Sequence, residues 1–279
     1  MTILLFSCLL FLVSILAGLL GALTGLGGGV VIIPALVLFF DINIRYAMGA
    51  ALISVIATSS GAAVAYLREG YTNLRIGMFL ETGAVVGAFI GAVLVAFVST
   101  RFIAIVFAVI LFLSAYLTVR RKHAQQTQVS SHPWAVRLQL TGDYPTTSGM
   151  RTYSVQHVPA ALVIMTIAGI FSGLLGIGSG ALKVLAMDQA LRLPYKVATT
   201  TSNFIIGITA SVSVGIYFFR GYVDPNITFP VVLGVAIGSI GGAKLLSHIK
   251  SRSLRIIFSV VICLLGAQML YKGMTGALS

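Results

Sequence analysis

Displaced by 151 residues and laid on itself without a gap, this chain repeats its own punctuation. Gly25, Gly27 and Gly29 fall on Gly176, Gly178 and Gly180; Ala47 falls on Ala198, Thr58 on Thr209, Tyr66 on Tyr217, and Gly70 and Tyr71 on Gly221 and Tyr222. The register runs on through Gly83, Gly87 and Gly91, which meet Gly234, Gly238 and Gly242, to Arg101 and Phe107, which meet Arg252 and Phe258. Glycines coincide easily in an apolar chain, but tyrosine, arginine and phenylalanine in the same register do not. The chain is therefore expected to hold two copies of one structural unit, residues 1–119 and 158–279, joined by residues 120–157.

Both copies read as membrane units. Of 279 residues, 58% are hydrophobic and 9% charged, with a mean hydropathy of +1.04, too little polar surface for a water-soluble domain. Apolar runs fall at 3–23, 30–40, 47–66, 76–98, 102–119, 158–177, 181–191, 198–219, 227–247 and 254–272. This predicts an all-α polytopic membrane protein of ten segments, five in each half. The first run opens MTILLF, without Lys or Arg, and is expected to be a retained helix rather than a signal peptide. The runs at 30–40 and 181–191 are short: about 11 residues make ~16 Å of helix, half of a ~30 Å hydrocarbon core.

Charge sets the orientation. Eighteen Lys and Arg against six Asp and Glu give +12, which in so apolar a chain points to anionic lipid headgroups rather than to nucleic acid. If all ten segments cross, Arg68, Arg75, Arg120, Arg121, Lys122, Arg137, Arg151, Arg192, Lys196, Lys250, Arg252 and Arg255 share one side. Arg45, Arg101, Arg220 and Lys272 share the other. If the short segments instead return to the side they entered from, the count becomes nine against seven. The steeper asymmetry favours ten crossings, two inverted halves, a cytoplasmic 120–157 loop and both termini outside. Within that loop RRKHAQQTQ is a basic polar linker, and the alternating AVRLQLTGDY and MRTYSVQHV around GDYPTTSG predict a small β-hairpin. Cys8 and Cys263 lie far apart in apolar runs, so neither a disulfide nor a zinc site is expected, and no cofactor is.

The glycine cluster of TGLGGGVVIIP interrupts an apolar run, and backbone that leaves the helix at membrane depth must be satisfied by protein or by a polar cavity. Breaks at matching places in two inverted halves mark a substrate site, because helix N-termini beyond them present N–H groups and a positive dipole end to an anion. Gly25, Gly27, Gly28 and Gly29, with Gly176, Gly178, Ser179 and Gly180, are the candidate site backbone. The competing reading is close helix crossing by small residues. Lys183 in GIGSGALKV is too deep to snorkel readily, and beside a helix N-terminus its charge suits an anionic substrate. Glu81 and Asp188 are candidates for pairing with it or for relaying a proton. ATTTSNFIIG adds Thr200, Thr201, Ser202 and Asn203 where the repeat has AMGAALISV, so the site is expected to be asymmetric; interhelical hydrogen bonding is the rival role.

GLGGGVVIIPAL, GLLGIGSGALKV, LPYKVATTTSNF and LGVAIGSIGGAKLL together resemble the sulfite exporter TauE/SafE family of bacterial membrane proteins, also called the toluene-sulfonate uptake permease group. The resemblance spans nearly the whole chain. It implies secondary transport, without ATP, of sulfite or a small organosulfur anion such as a sulfonate across the cytoplasmic membrane. The chain departs from the family pattern at Ser179, where glycine is common. Its own halves differ in that Leu185 stands where the first half has Pro34. A passive anion channel and a small-carboxylate transporter remain in competition, and a homodimer is left open. An enzyme is not expected, since His123, His132, His157 and His248 fall in the loop or near a span end and form no catalytic or metal cluster.

Overall fold

The computed structural model describes residues 3–24, 27–68, 70–120, 132–146, 149–246 and 251–275. In chain order these form α1 (Ile3–Thr24), α2 (Gly29–Phe39), α3 (Ile44–Arg68), α4 (Leu74–Leu94) and α5 (Thr100–Arg120). After them come α6 (Pro133–Arg137), β1 (Gly142–Thr146), β2 (Gly149–Tyr153) and α7 (Val158–Leu175). The chain continues with α8 (Gly180–Leu185), a π-helical turn (Ala186–Ala190), α9 (Tyr195–Phe219), α10 (Pro225–Leu246) and α11 (Ser251–Thr275). The protein is an all-α membrane protein in which each of the ten apolar runs is helical. By length and composition, α1, α3, α4, α7, α9 and α10 can each cross a membrane, and shorter apolar helical stretches occupy Gly29–Phe39, Thr100–Tyr116 and Ser259–Thr275.

Helix bounds recur at the sequence offset. α2 and α8 start 151 residues apart, as do α3 and α9, α4 and α10, and α5 and α11. The halves interlock rather than sit side by side, with α4 lying along α7 and α10 along α1. Glycine is what lets these backbones touch. A methyl group on Gly87 or Gly91 of α4 would run into the carbonyls of Thr166 or Ile170, and one on Gly169 or Gly173 of α7 into those of Ala84 or Ala88. The matching pair does the same: Gly234, Gly238 and Gly242 of α10 abut the carbonyls of Phe11, Ile15 and Leu19, and Gly18 of α1 abuts that of Val235.

Contacts sort the helix ends into two groups. Phe6, near the start of α1, packs edge-on against Phe40, just past α2, with ring centroids 5.5 Å apart. At the same end Lys272 of α11 pairs with Asp41 at 3.0 Å, and Arg45 at the start of α3 donates to the Tyr222 hydroxyl, beyond α9, and to the Val98 carbonyl, beyond α4. The opposite end gathers the α3–α4 turn, the hairpin and the start of α9. The Asn73 amide N–H donates to Thr201 Oγ1 at 3.0 Å, and Lys196 lies over the Tyr71 ring. Gln156, just before α7, donates from its backbone to the carbonyl of Leu191, just past the π-helical turn. Thus α3 and α9 run antiparallel, and each short helix returns to the end from which the long helix before it started.

The hairpin is smaller than the alternation of apolar and polar residues predicts. Pro133 at the first helical turn and the His132 ring, which accepts from the Trp134 N–H at 3.2 Å, make residues 133–137 a helix instead of a strand. Among the described residues only Gly142–Thr146 and Gly149–Tyr153 pair, antiparallel, with Gly142 opposite Tyr153. Ala135, Leu140, Tyr153 and Val155 are buried in one cluster with Ile76, Leu80 and Val158, so the hairpin is docked on α4 and α7. Asn73 Nδ2 donates to Tyr153 Oη at 2.6 Å and Arg75 to Gln139 at 2.8 Å. The RRKHAQQTQ linker beyond Arg120 and residues 147–148 between the strands lie outside the described residues.

Candidate functional site

The site is built where the two helix breaks meet. Between α1 and α2 Gly27 has φ +78°, and between α7 and α8 Gly176 and Gly178 have φ +68° and +69°, a left-handed backbone that glycine adopts without strain. Residues 27–30 and 172–180 are all buried. A Cβ on Gly29 would stand 3.3 Å from the Gly176 carbonyl oxygen and 3.4 Å from Ile177 Cα, so the breaks are in contact. Gly27 and Gly178 both rest on the same two side chains, Val55 and Ile206, which are themselves 151 residues apart in sequence. Gly28 faces Thr58, with 3.2 Å from a built Cβ to Oγ1. Gly25 lies outside the described residues.

The second break departs from the first at Ser179 and at the helix that follows. Ser179 takes φ +47°, where a side chain is strained, whereas its counterpart Gly28 has an ordinary helical φ of −63°. The hydroxyls of Ser172 and Ser179, on either side of Gly176–Gly178, are buried and have no hydrogen-bond partner among the described residues. α2 stays α-helical for 11 residues around Pro34, but the chain with Leu185 at that place passes from α8 into the π-helical turn.

The polar run at the start of α9 is buried from Thr199 to Asn203, and its members face different neighbours. Ser202 Oγ donates to the Gly180 carbonyl at 3.4 Å, and Asn203 Nδ2 donates to the Ala22 carbonyl at 3.2 Å, so these two stitch α9 to both breaks. Thr200 donates back into its own helix, to Lys196 and Val197, and Thr201 holds the α3–α4 turn through Asn73. The backbone here is gripped from α3 as well: Ser59 Oγ donates to the Asn203 carbonyl at 2.7 Å.

Lys183, one turn into α8, is wholly buried, and its ammonium donates to Glu81 Oε2 of α4 at 2.9 Å, with the Glu81 side chain 3% exposed. Thr209 of α9 closes a triangle, accepting from Lys183 Nζ and donating to Glu81 Oε1. Of the two acidic candidates it is Glu81 that pairs with Lys183; Asp188 is half-buried in the π-helical turn. Positions 151 residues away carry Ile32, Val232 and Thr58, so only the hydroxyl is common to both halves and the charge belongs to one. An isolated charge here would be costly, and the pair is nearly neutral as a unit. Thr209 is a member that site reasoning from the sequence misses. Two signals pointed to it: its register match with Thr58, and its place seven residues beyond Ser202 on the same buried face. Among the described residues no group of His, Cys, Asp or Glu could hold a metal.

A buried, two-sided helix break with a paired charge beside it agrees with what the chain is similar to. It is 28% identical over 273 residues, covering 95% of this chain and 97% of the relative, to "Probable membrane transporter protein YunE" of Bacillus subtilis. It is 30% identical over 239 residues, covering 85% and 89%, to "Probable membrane transporter protein YdhB" of the same organism. "Probable membrane transporter protein MJ0441" of Methanocaldococcus jannaschii is 23% identical over 277 residues, covering 94% of each chain. No solved structure gives a significant match. The sulfite exporter TauE/SafE family matches residues 10–269, nearly the whole length, and the chain belongs to that family of multi-pass membrane transporters.

Proposed function

We propose that the protein is a secondary transporter that moves sulfite or a small sulfonate-type anion across the cytoplasmic membrane by alternating access, driven by an ion gradient. The observation that carries this reading is the contact between the two buried breaks, flanked on one side by the unpartnered hydroxyls of Ser172 and Ser179. Strain held at Ser179 and polar groups held without partners are features that a ligand would repay. The start of the 11-residue α2 adds the positive end of a helix dipole, and Ser202 and Asn203 of α9 lie within reach of both breaks. The carriers of substrate are then Gly27, Gly28, Gly29, Gly176, Gly178, Ser179 and Gly180, with Ser202 and Asn203.

Ten crossings in two inverted halves suit this function. The return of Phe40 to Phe6, and of Leu191 to Gln156, supports short helices that end on the side where the long helix before them began. The antiparallel run of α3 and α9 is what inversion of matched helices produces. Contact of the hairpin with Asn73 and Arg75 supports a place on the Lys- and Arg-rich side, which the positive-inside rule makes the cytoplasm.

Glu81 and Lys183 supply the coupling. With Glu81 ionised the ammonium is neutralised; a proton on Glu81 frees the positive charge of Lys183 toward an anion. Proton and anion then occupy the protein together, which links their movements. The test is a panel of labelled sulfite, thiosulfate, sulfonates and carboxylates in proteoliposomes. Saturable flux of sulfite or a sulfonate under an imposed pH gradient supports the reading. Flux confined to carboxylates, or linear and indifferent to the gradient, refutes it.

A further inference from the structure

Arg45 and Lys196 are 151 residues apart, and so are Tyr71 and Tyr222. The structure exchanges these partners between the halves. The Arg45 guanidinium lies over the Tyr222 ring at 5.5 Å, and the Lys196 ammonium lies over the Tyr71 ring at 5.0 Å. Each cation stands in the first turn of its helix, α3 or α9, and each tyrosine stands just beyond the end of the other helix, after a glycine of φ +72° (Gly221 and Gly70). The two contacts therefore cap opposite ends of one antiparallel helix pair. Helices of 25 residues place them about 37 Å apart, on either side of Val55 and Ile206, the side chains on which both glycine breaks rest.

We infer that Arg45–Tyr222 and Lys196–Tyr71 are two positioning latches of the transport cycle, each closing the path from the central site to one face of the membrane, and both closed in this structure. The inference rests on the transporter reading above. Alternating access between inverted halves needs two barriers that are alike in build and opposite in place, opened in turn. A cation–aromatic contact suits such a barrier, since its attraction is moderate. The latches are unequal. Arg45 also donates to the Tyr222 hydroxyl at 3.2 Å and to the Val98 carbonyl at 3.2 Å, and the chain crosses so closely there that Gly49 abuts the Tyr222 carbonyl. Lys196 is exposed, and its end is held beside it by the Asn73-to-Thr201 hydrogen bond.

The test uses the full chain with Cys8 and Cys263, both exposed free thiols, changed to serine, and Thr58→Cys as a reporter beside Gly28. A membrane-impermeant thiol reagent is applied from each face of reconstituted vesicles in turn. Tyr222→Leu should raise reporter labelling about tenfold from one face only, and Tyr71→Leu about threefold from the opposite face only, factors in keeping with a partly desolvated and an exposed cation–aromatic contact. Tyr71→Phe keeps the ring and should label like the parent, and Tyr222→Phe, which keeps the ring but loses the hydroxyl that Arg45 donates to, should label between the parent and Tyr222→Leu, which separates latching from loss of fold. Both leucine variants raising labelling from the same face, or neither raising it from any, overturns the inference. If the parent carries no sulfite while the sided labelling holds, the latches stand and the substrate reading falls.

Discussion

Removing Lys183 alone should unfold more of the protein than removing it together with Glu81. At 2.9 Å and an effective dielectric near 20, the attraction within the pair is about 6 kcal/mol, most of it offset by taking two charges out of solvent. The pair as a whole therefore adds little stability. Lys183→Met leaves the Glu81 carboxylate buried with, among the described residues, only the Thr209 hydroxyl donating to it, at a cost of roughly 3–5 kcal/mol. Glu81→Gln strands the ammonium in the same way. The double variant removes both charges and should lie within about 1.5 kcal/mol of the parent, because similar-volume neutral replacements of a buried pair are often tolerated. Denaturant-titrated unfolding in detergent micelles, run on the parent, both single variants and the double variant at one pH, closes the cycle. Single variants as stable as the parent, or effects that add within about 0.5 kcal/mol, would refute a buried ion pair as the tie between α4 and α8.

Other expectations follow from the same geometry. Gly87→Ala or Gly238→Ala should lower stability by about 1–3 kcal/mol, since the methyl group would strike the Thr166 or Ile15 carbonyl, whereas Gly241→Ala, with open space around it, should be neutral or stabilising by up to about 1 kcal/mol in the same unfolding assay. Gly28→Leu should insert and fold yet lose flux, because its side chain must enter the space between Thr58 and Ile32; unchanged flux would move the site elsewhere. Asn73→Ala removes the acceptor for the Ile76 N–H at the start of α4 and the donor to Tyr153, and should cost about 1–2 kcal/mol and speed proteolysis of the hairpin. In binding measurements at one pH, the Lys183→Met/Glu81→Gln protein should lose more affinity for doubly charged sulfite than for a singly charged sulfonate, because a lost cation matters in proportion to the charge it faced.

The ten helices were legible because each is an apolar run closed by charge or glycine, and the bounds of α3 and α9 match to the residue at the offset that the glycines and tyrosines reveal. Both breaks were legible for a related reason: glycines at every second residue of an apolar run, at 25, 27 and 29 and again at 176, 178 and 180, do not share one face of a straight helix. Lys183 stood out as a charge without a surface. Its partner did not, because Glu81 and Asp188 lie 102 and five residues away, and only packing of α4 against α9 brings the distant one to it. The roles of Thr200 and Thr201 were hidden for the opposite reason. A run of hydroxyls on one helix points in successive directions 100° apart, so adjacent residues serve different neighbours. In the loop, alternation at residues 135–140 imitated a strand, and the local helix started by Pro133 won. The exchange of cations and tyrosines between halves needs the antiparallel packing of α3 on α9, which no single stretch of sequence displays.

The measurement closest to the central claim is uphill accumulation. Proteoliposomes holding the parent protein, loaded with equal labelled sulfite inside and out and then given a pH gradient, should build a sulfite gradient that collapses when a protonophore is added. The Lys183→Met/Glu81→Gln protein, folded but without the pair, should still exchange sulfite down its gradient and should build none. Accumulation that persists undiminished in that variant, or a parent that only dissipates a sulfite gradient at a rate linear in concentration, would contradict coupled transport through this site.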